Sequence, residues 1–143
     1  MEITVIHGEE LSLEDCDTMT ELMKKAFGED QLWKVKISLE DDYYVIKDGE
    51  EFIAVCAIAD SDRWPERNEV IMLFVHPDHQ RKGYGRTLLN HALSNRTDKD
   101  KPLCICIYAG YTKADPFLER LGFVLRETVE EDGMACAVYT WDR

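Results

Sequence analysis

No apolar run in this 143-residue chain approaches the ~18 residues of a membrane span. Its start, Met1-Glu2-Ile3-Thr4, has neither the basic residues nor the apolar stretch of a signal peptide. The five cysteines are an odd count and contain no CxxC pair, which argues against a disulfide framework. Repeats, low-complexity tracts and linkers are absent, and so is the Gly-Lys-Ser/Thr of a Walker phosphate loop. What is there is 45% hydrophobic and 32% charged, a globular composition that excludes a disordered or fibrous chain. The length is that of one domain, residues 1–143, large enough to bury a core without staples. These features predict a soluble cytoplasmic domain.

The net charge is −12, and its distribution says more than its sum. Residues 1–66 hold 18 Asp/Glu against 6 Lys/Arg, whereas residues 67–143 hold 11 of each. Within the balanced half, Arg81, Lys82, Arg86, Arg96, Lys99 and Lys101 face only Asp98 and Asp100 over residues 79–101. A locally basic segment in an acidic protein is a candidate site for a small anion. The global charge argues against nucleic acid, whose phosphates would be repelled.

Residues 3–6 read as a first strand. Ser12 stands where a helix cap belongs, followed by acids in the first turn. Leu13, Cys16, Met19, Leu22, Met23, Ala26 and Phe27 follow at helical spacing, and Gly28 is the expected stop. A short second helix is assigned to residues 30–39. Residues 43–47 and 52–59 are β-branched and aromatic runs joined by Asp48-Gly49, a hairpin signal. Residues 63–66 form a loop, 70–75 an apolar strand, and 85–96 a helix with Leu88, Leu89, Ala92 and Leu93 on one face. Another buried strand spans 103–108. Asp115-Pro116 opens a short helix, with Pro at its first position and Gly122 closing it. Residues 124–129 and 135–141 pair around Asp132-Gly133. The order βααβββαβαββ predicts an α/β fold, a mixed sheet with helices packed on it.

The sharpest local feature is Val75-His76-Pro77-Asp78-His79-Gln80-Arg81-Lys82-Gly83-Tyr84-Gly85-Arg86-Thr87. A buried strand runs into a tight loop with two glycines, and the loop opens an amphipathic helix. Backbone N–H groups at such a helix start, with no Cβ at Gly83 or Gly85 to block approach, make a phosphate cradle. Arg81 and Lys82 add charge that favours a polyanion. The alternative is an ordinary strand-to-helix turn whose glycines only permit the bend. A dinucleotide fingerprint does not fit, because the third glycine position is Leu88 and no acid follows about 20 residues on.

Gln80-Arg81-Lys82-Gly83-Tyr84-Gly85, after an apolar strand ending in V-x-P, matches Q/R-x-x-G-x-G/A residue for residue. It closely resembles the coenzyme A pyrophosphate loop of the GNAT N-acetyltransferase superfamily. Ala114 followed by Phe117-Leu118-Glu119-Arg120-Leu121-Gly122-Phe123 is similar to that family's A-x-x-x-Y-x-x-x-G-F segment, and the element order agrees over the whole chain. The resemblance implies an acetyl-CoA-dependent N-acetyltransferase with the cosubstrate in a cleft between two splayed strands. The backbone of Leu73, Phe74 and Val75 would bond the pantetheine arm. Gln80 would start the loop, the amides of Arg81, Lys82, Gly83, Tyr84 and Gly85 would hold the pyrophosphate, and Arg86 and Thr87 would lie beside them.

Direct acetyl transfer in a ternary complex needs a neutral amine, so an ammonium with a pKa near ~10.4 must first lose a proton. Glu69 is the candidate base. It begins the apolar strand, shares a face with Ile71, Leu73 and Val75 by alternation, and sits where histone acetyltransferase members of the family place a base glutamate. The alternative is a solvated strand-end acid beside Asn68. One departure from the family stands out: the tyrosine that often protonates the leaving thiolate is here Leu118, and the asparagine that often precedes Ala114 by three is Tyr111. Tyr111 is therefore the candidate acid, with Tyr108 as the substitute.

Other groups take plainer readings. His76-x-x-His79 lacks a third ligand, so no metal is expected. Cys56, Cys104, Cys106 and Cys136 lie in strands as small buried hydrophobes. Glu40-Asp41-Asp42 and Glu130-Glu131-Asp132 read as solvated loops, or as the rim of an acceptor site. Trp33 and Trp64 wall that site or simply pack. The acceptor is an amine of a small molecule or peptide, and the acid excess predicts a cationic one. A homodimer is left open. The rival class, suggested by Leu118, is a non-catalytic CoA-binding regulatory or interaction module.

Overall fold

The computed structural model describes residues 2–27, 38, 40–96, 98–108, 115–131 and 133–141. Apart from Ser38, which is not helical, the helix expected over 30–39 lies outside the described residues, as do Gly28, Trp33, Tyr111 and Ala114. The elements are β1 (Ile3–His7), α1 (Leu13–Phe27), β2 (Asp42–Asp48), β3 (Glu51–Asp60), β4 (Asn68–Val75), α2 (Tyr84–Asn95), β5 (Leu103–Tyr108), α3 (Asp115–Leu121), β6 (Val124–Glu131) and β7 (Met134–Trp141), with 3₁₀ turns at Gly8–Glu10 and Pro77–His79. The seven strands follow the order β1-β2-β3-β4-β5-β7-β6, the mixed α/β sheet expected. β4 pairs β5 in parallel, at Asn68↔Leu103 and Glu69↔Cys104, which requires a crossover between them. By their internal contacts the residues fall into two compact units, Met1–Ile58 with Ile71–Thr97, and Ala59–Val70 with Asp98–Arg143.

In the first unit α1 starts as its sequence dictates. Ser12 Oγ accepts the Asp15 N–H at 3.0 Å, while Asp15 Oδ2 accepts the Ser12 N–H at 3.2 Å, a reciprocal cap that satisfies two groups at the helix start. Met19, Leu22 and Met23 then bury against Tyr43, Val45, Phe52, Val55, Ala57, Met72 and Phe74. Leu13 departs from the helical stripe and is 87% exposed. On the opposite face of β2, Tyr44 meets His91 of α2 edge-on, with ring centroids 5.3 Å apart. Leu88, Leu89 and Ala92 are buried on α2, and each buried leucine contributes about 2 kcal/mol, well above any helix propensity term. The β2–β3 turn is displaced by one residue from the expected Asp48-Gly49. Asp48 pairs with Glu51, which leaves Gly49 (φ 63°) and Glu50 as the turn, with glycine first as a type II′ hairpin demands.

In the second unit β5 is paired along its length by β7, and β7 by β6. The acidic residues Glu130 and Glu131 belong to β6, so this run is strand rather than the expected loop. α3 begins at Asp115, which makes Pro116 its second residue rather than its first. It closes as expected at Gly122 (φ 99°): the Gly122 N–H reaches Glu119 O and the Phe123 N–H reaches Leu118 O, both at 3.0 Å. These are the paired bonds of a Schellman end. Leu118 and Phe123 are buried there.

Candidate functional site

The segment after β4 is built by short-range bonds. The His76 N–H reaches Ile53 O at 2.7 Å, tying the strand end to β3. His76 Nδ1 accepts the Asp78 N–H at 3.1 Å, which leaves Nε2 to carry the proton toward Glu51 Oε1 at 3.5 Å. The His76 and His79 rings meet edge-on at 5.6 Å, so this pair organises the turn. Among the described residues no group of three or more His, Cys, Asp or Glu could hold a metal ion. Gln80 Nε2 donates to Val75 O at 3.1 Å and clasps the loop back onto the strand it left.

Beyond Gln80 the backbone turns left-handed twice. Arg81 has φ 68°, the one non-glycine residue with positive φ among those described, and Gly83 has φ 82°. Gly83 is the N-cap of α2, and its carbonyl takes the Thr87 N–H. The N–H groups of Gly83, Tyr84, Gly85 and Arg86 precede the first bond of the helix, which the Thr87 N–H makes, so no helical carbonyl takes them. A run of such N–H groups at the positive end of a 12-residue helix is an anion nest. A Cβ built on Gly83 would meet nothing within 4 Å, so no neighbouring protein atom demands glycine here. The backbone angle does, and so would a ligand lying against it. Arg81, Lys82 and Arg86 are exposed around the nest, while Gly85 is buried in the first turn. The donor set fits a diphosphate.

Along β4 burial alternates strictly: Asn68, Val70, Met72 and Phe74 are buried, and Glu69, Ile71, Leu73 and Val75 are half-buried on the other face. Glu69 is not the freely solvated strand-end acid of the alternative reading. Its Oε1 accepts a bond from the Ser61 hydroxyl at 3.0 Å, and Ser61 is itself only 5% exposed. Asn68 beside it donates from Nδ2 to Asp60 Oδ1 at 3.0 Å, and Lys101 Nζ reaches the same oxygen at 3.0 Å. Neither Ser61 nor the Asp60–Lys101 pair carried a sequence signal, because each acts across a loop or a strand crossover. Trp64 stacks with Arg63 and Arg67, whose guanidinium carbons lie 5.6 and 5.1 Å from its ring.

The remaining candidates separate clearly. Burial pushes the Cys56 thiol up to about 12. The Cys104 thiol is also pushed up to about 12, by burial first and by the Glu69 carboxylate second. Neither is a nucleophile near neutral pH, and Cys136 is buried too, in keeping with the reading of these cysteines as small hydrophobes, whereas Cys106 is half-buried and not the fully buried residue expected. Leu118, at the family's tyrosine position, is 1% exposed and serves the core. Asp42, from the first acid run, lies in β2 and pairs with His7 Nδ1 at 2.8 Å. In the first unit a surface cavity of about 240 Å³ has a mostly apolar lining that includes Leu22, Phe52 and His76, with Glu14, Asp17, Thr18, Glu21, Lys25 and Glu51 around it. Among the described residues no helix is long and apolar enough to cross a membrane.

Comparison with solved structures finds the same fold repeatedly. An acyl-CoA N-acyltransferase from Pseudomonas aeruginosa superposes with a TM-score of 0.75 at 17% identity, covering 99% of both chains. ElaA from Escherichia coli gives 0.75 at 20% identity, again over 99% of both chains. The ribosomal-protein-S18-alanine N-acetyltransferase from Escherichia coli gives 0.69 at 17% identity, covering 98% of this chain and 93% of that one. At these identities the likeness is one of fold. No curated protein sequence matches the chain. The sequence model of an acetyltransferase (GNAT) domain matches residues 40–125, more than half of the chain and the stretch that holds β4, the nest and α3. The chain belongs to the GNAT family of N-acetyltransferases, enzymes that use acetyl-CoA to acetylate amines.

Proposed function

We propose that residues 1–143 act as one acetyltransferase domain that moves an acetyl group from acetyl-CoA to a cationic amine by direct transfer in a ternary complex. The observation that carries this reading is the nest at residues 81–86, where left-handed Arg81 and Gly83 and the N–H groups that open α2 suit a pyrophosphate. Gln80 holds the loop, and the backbone of Leu73, Phe74 and Val75 lies along the pantetheine arm. Tyr84, Gly85, Arg86 and Thr87 complete the helix start. Acetyl-CoA supplies a thioester-activated acetyl group.

Glu69 takes the proton from the ammonium, so that the amine nitrogen is free to bond the thioester carbonyl carbon as the C–S bond breaks. The second proton of the amine leaves nitrogen as the amide forms and ends on the departing sulfur, relayed by Tyr111 or by water, so that the products are the amide and the free thiol. The acid excess of residues 1–66, and the carboxylates around the cavity beside α1, support a cationic acceptor. A second reading, a CoA-binding module without turnover, is favoured by one observation: Leu118 fills a core position where the family often carries its acid.

Release of free thiol from acetyl-CoA, followed over a panel of small amines, amino acids, polyamines and peptide N-termini, decides between them. The enzyme reading expects thiol and acetylated amine in equal amounts with at least one acceptor. Binding of acetyl-CoA without turnover across the panel favours the module.

A further inference from the structure

The Glu69 carboxylate is held by a residue that the reaction scheme does not yet use. Ser61 follows β3, is buried, and places Oγ 3.0 Å from Glu69 Oε1 and 3.1 Å from the Trp64 backbone nitrogen. Chemistry settles the direction of both bonds. The Trp64 N–H can only donate, so the hydroxyl oxygen accepts it, and the hydroxyl proton is left for the carboxylate.

The loop is closed on itself as well. The Ser61 N–H reaches Arg67 O at 3.0 Å and the Arg67 N–H reaches Trp64 O at 2.8 Å. On the other side of Glu69, Asn68 is fixed by Asp60 and by its N–H to Pro102 O at 2.9 Å. The titratable groups nearby are the Cys104 thiol, directly opposite on β5 and itself hydrogen-bonded to the Ser61 hydroxyl oxygen, and Arg67 and Glu66 of the loop, which act on that thiol in opposite senses.

We infer that Ser61 is a positioning residue for acetyl transfer, fixing the Glu69 carboxylate in one orientation. The inference rests on the reading of Glu69 as the base. A hydroxyl donating to a carboxylate stabilises the charged state. The charged form is the one that takes a proton, and the carboxylate does not have to choose among rotamers before each turnover.

The test is a set of kcat and kcat/KM profiles against pH, with Tm, for the wild type, Ser61→Ala, Ser61→Thr, Glu69→Gln and the Ser61→Ala/Glu69→Gln double variant. Glu69→Gln keeps size and removes the acceptor, so kcat falls by roughly 10²–10⁴, partly recovering at high pH where more amine is neutral. Ser61→Ala moves the acidic limb of kcat/KM upward by roughly half to one pH unit and lowers kcat severalfold, with the KM for acetyl-CoA little changed. Ser61→Thr, which keeps the hydroxyl, restores the limb.

In the Glu69→Gln background Ser61→Ala changes kcat by less than about twofold. Loss of the Trp64 acceptor lowers the Tm of Ser61→Ala in either background, so stability alone does not reproduce this pattern. An unmoved acidic limb in Ser61→Ala, with Glu69→Gln still strongly impaired, overturns the role of Ser61 and leaves the base in place. A loss of less than about threefold in Glu69→Gln overturns the base itself, and the inference falls with it.

Discussion

Thr87 gives both its backbone N–H and its hydroxyl to one oxygen, the carbonyl of Gly83, at 3.0 and 2.9 Å. The bond from the hydroxyl is the i−4 contact that Ser and Thr make inside helices, here spent on the cap residue itself. It locks the first turn of α2 onto Gly83, so that the N–H groups before Thr87 are left without a helical carbonyl. The anion nest is therefore a consequence of how the helix begins, and the side chains of Arg81, Lys82 and Arg86 add positive charge around it.

The charge distribution predicts how the acceptor responds to salt. Residues 1–66 carry the whole net charge of −12, and Glu14, Asp17 and Glu21 succeed one another along α1. Exposed charges are screened beyond ~10 Å at 0.1 M salt. The kcat/KM for the preferred amine should fall as salt rises while kcat changes little. A neutral or acidic acceptor with a flat salt response contradicts a cationic substrate.

A thiol has a pKa near ~8.5, far below that of an amine, so the thiolate leaves tolerably well without a proton. Protonation of sulfur should therefore matter less than deprotonation of the amine. Tyr111→Phe removes only a hydroxyl. If Tyr111 is the donor, kcat falls by roughly severalfold to a hundredfold with acetyl-CoA affinity nearly unchanged. Full activity in both Tyr111→Phe and Tyr108→Phe means that no such tyrosine acts, and that the sulfur takes its proton from water.

The His7–Asp42 pair gives a pH dependence of defined sign. The hydrogen bond to Asp42 raises the His7 pKa, with the charges of Asp42, Glu9 and Glu10 adding to it against some desolvation. A raised histidine pKa contributes stability that is fully present below the unfolded value and is lost as pH rises through the folded one. Proton NMR should show His7 titrating at higher pH in the wild type than in Asp42→Asn. Equal midpoints contradict the pairing.

Much of the fold is legible in the sequence because local chemistry and tertiary packing agree. Ser12 and Asp15 announce the α1 start that they form, Gly122 closes α3, and the alternation of β4 places Glu69 with Leu73 and Val75. Disagreements arise where pairing outweighs local signal. Asp48 looks like a turn residue, yet strand register draws it into β2 opposite Glu51. Glu130 and Glu131 look like solvated loop, yet their backbones complete the ladder with Ala135 and Met134. The least legible feature is Ser61. Its tie to Glu69 spans eight residues and depends on the loop between β3 and β4 folding back, which no periodicity encodes.

The central claim is that the turn from Arg81 to Gly85 holds the pyrophosphate of acetyl-CoA, and Gly83 tests it most directly. At φ 82° a side chain is strained by about 1–2 kcal/mol, but a Cβ there meets no protein atom within 4 Å. Gly83→Ala and Gly83→Val should therefore fold, with a modest fall in Tm, while placing bulk where the phosphates lie. Calorimetric titration should show the acetyl-CoA Kd raised at least about tenfold in Gly83→Val, a loss of about 1.4 kcal/mol, with Gly83→Ala between it and the wild type. An acetyl-CoA affinity unchanged in both folded variants would show that the loop is only a turn, and would contradict the account.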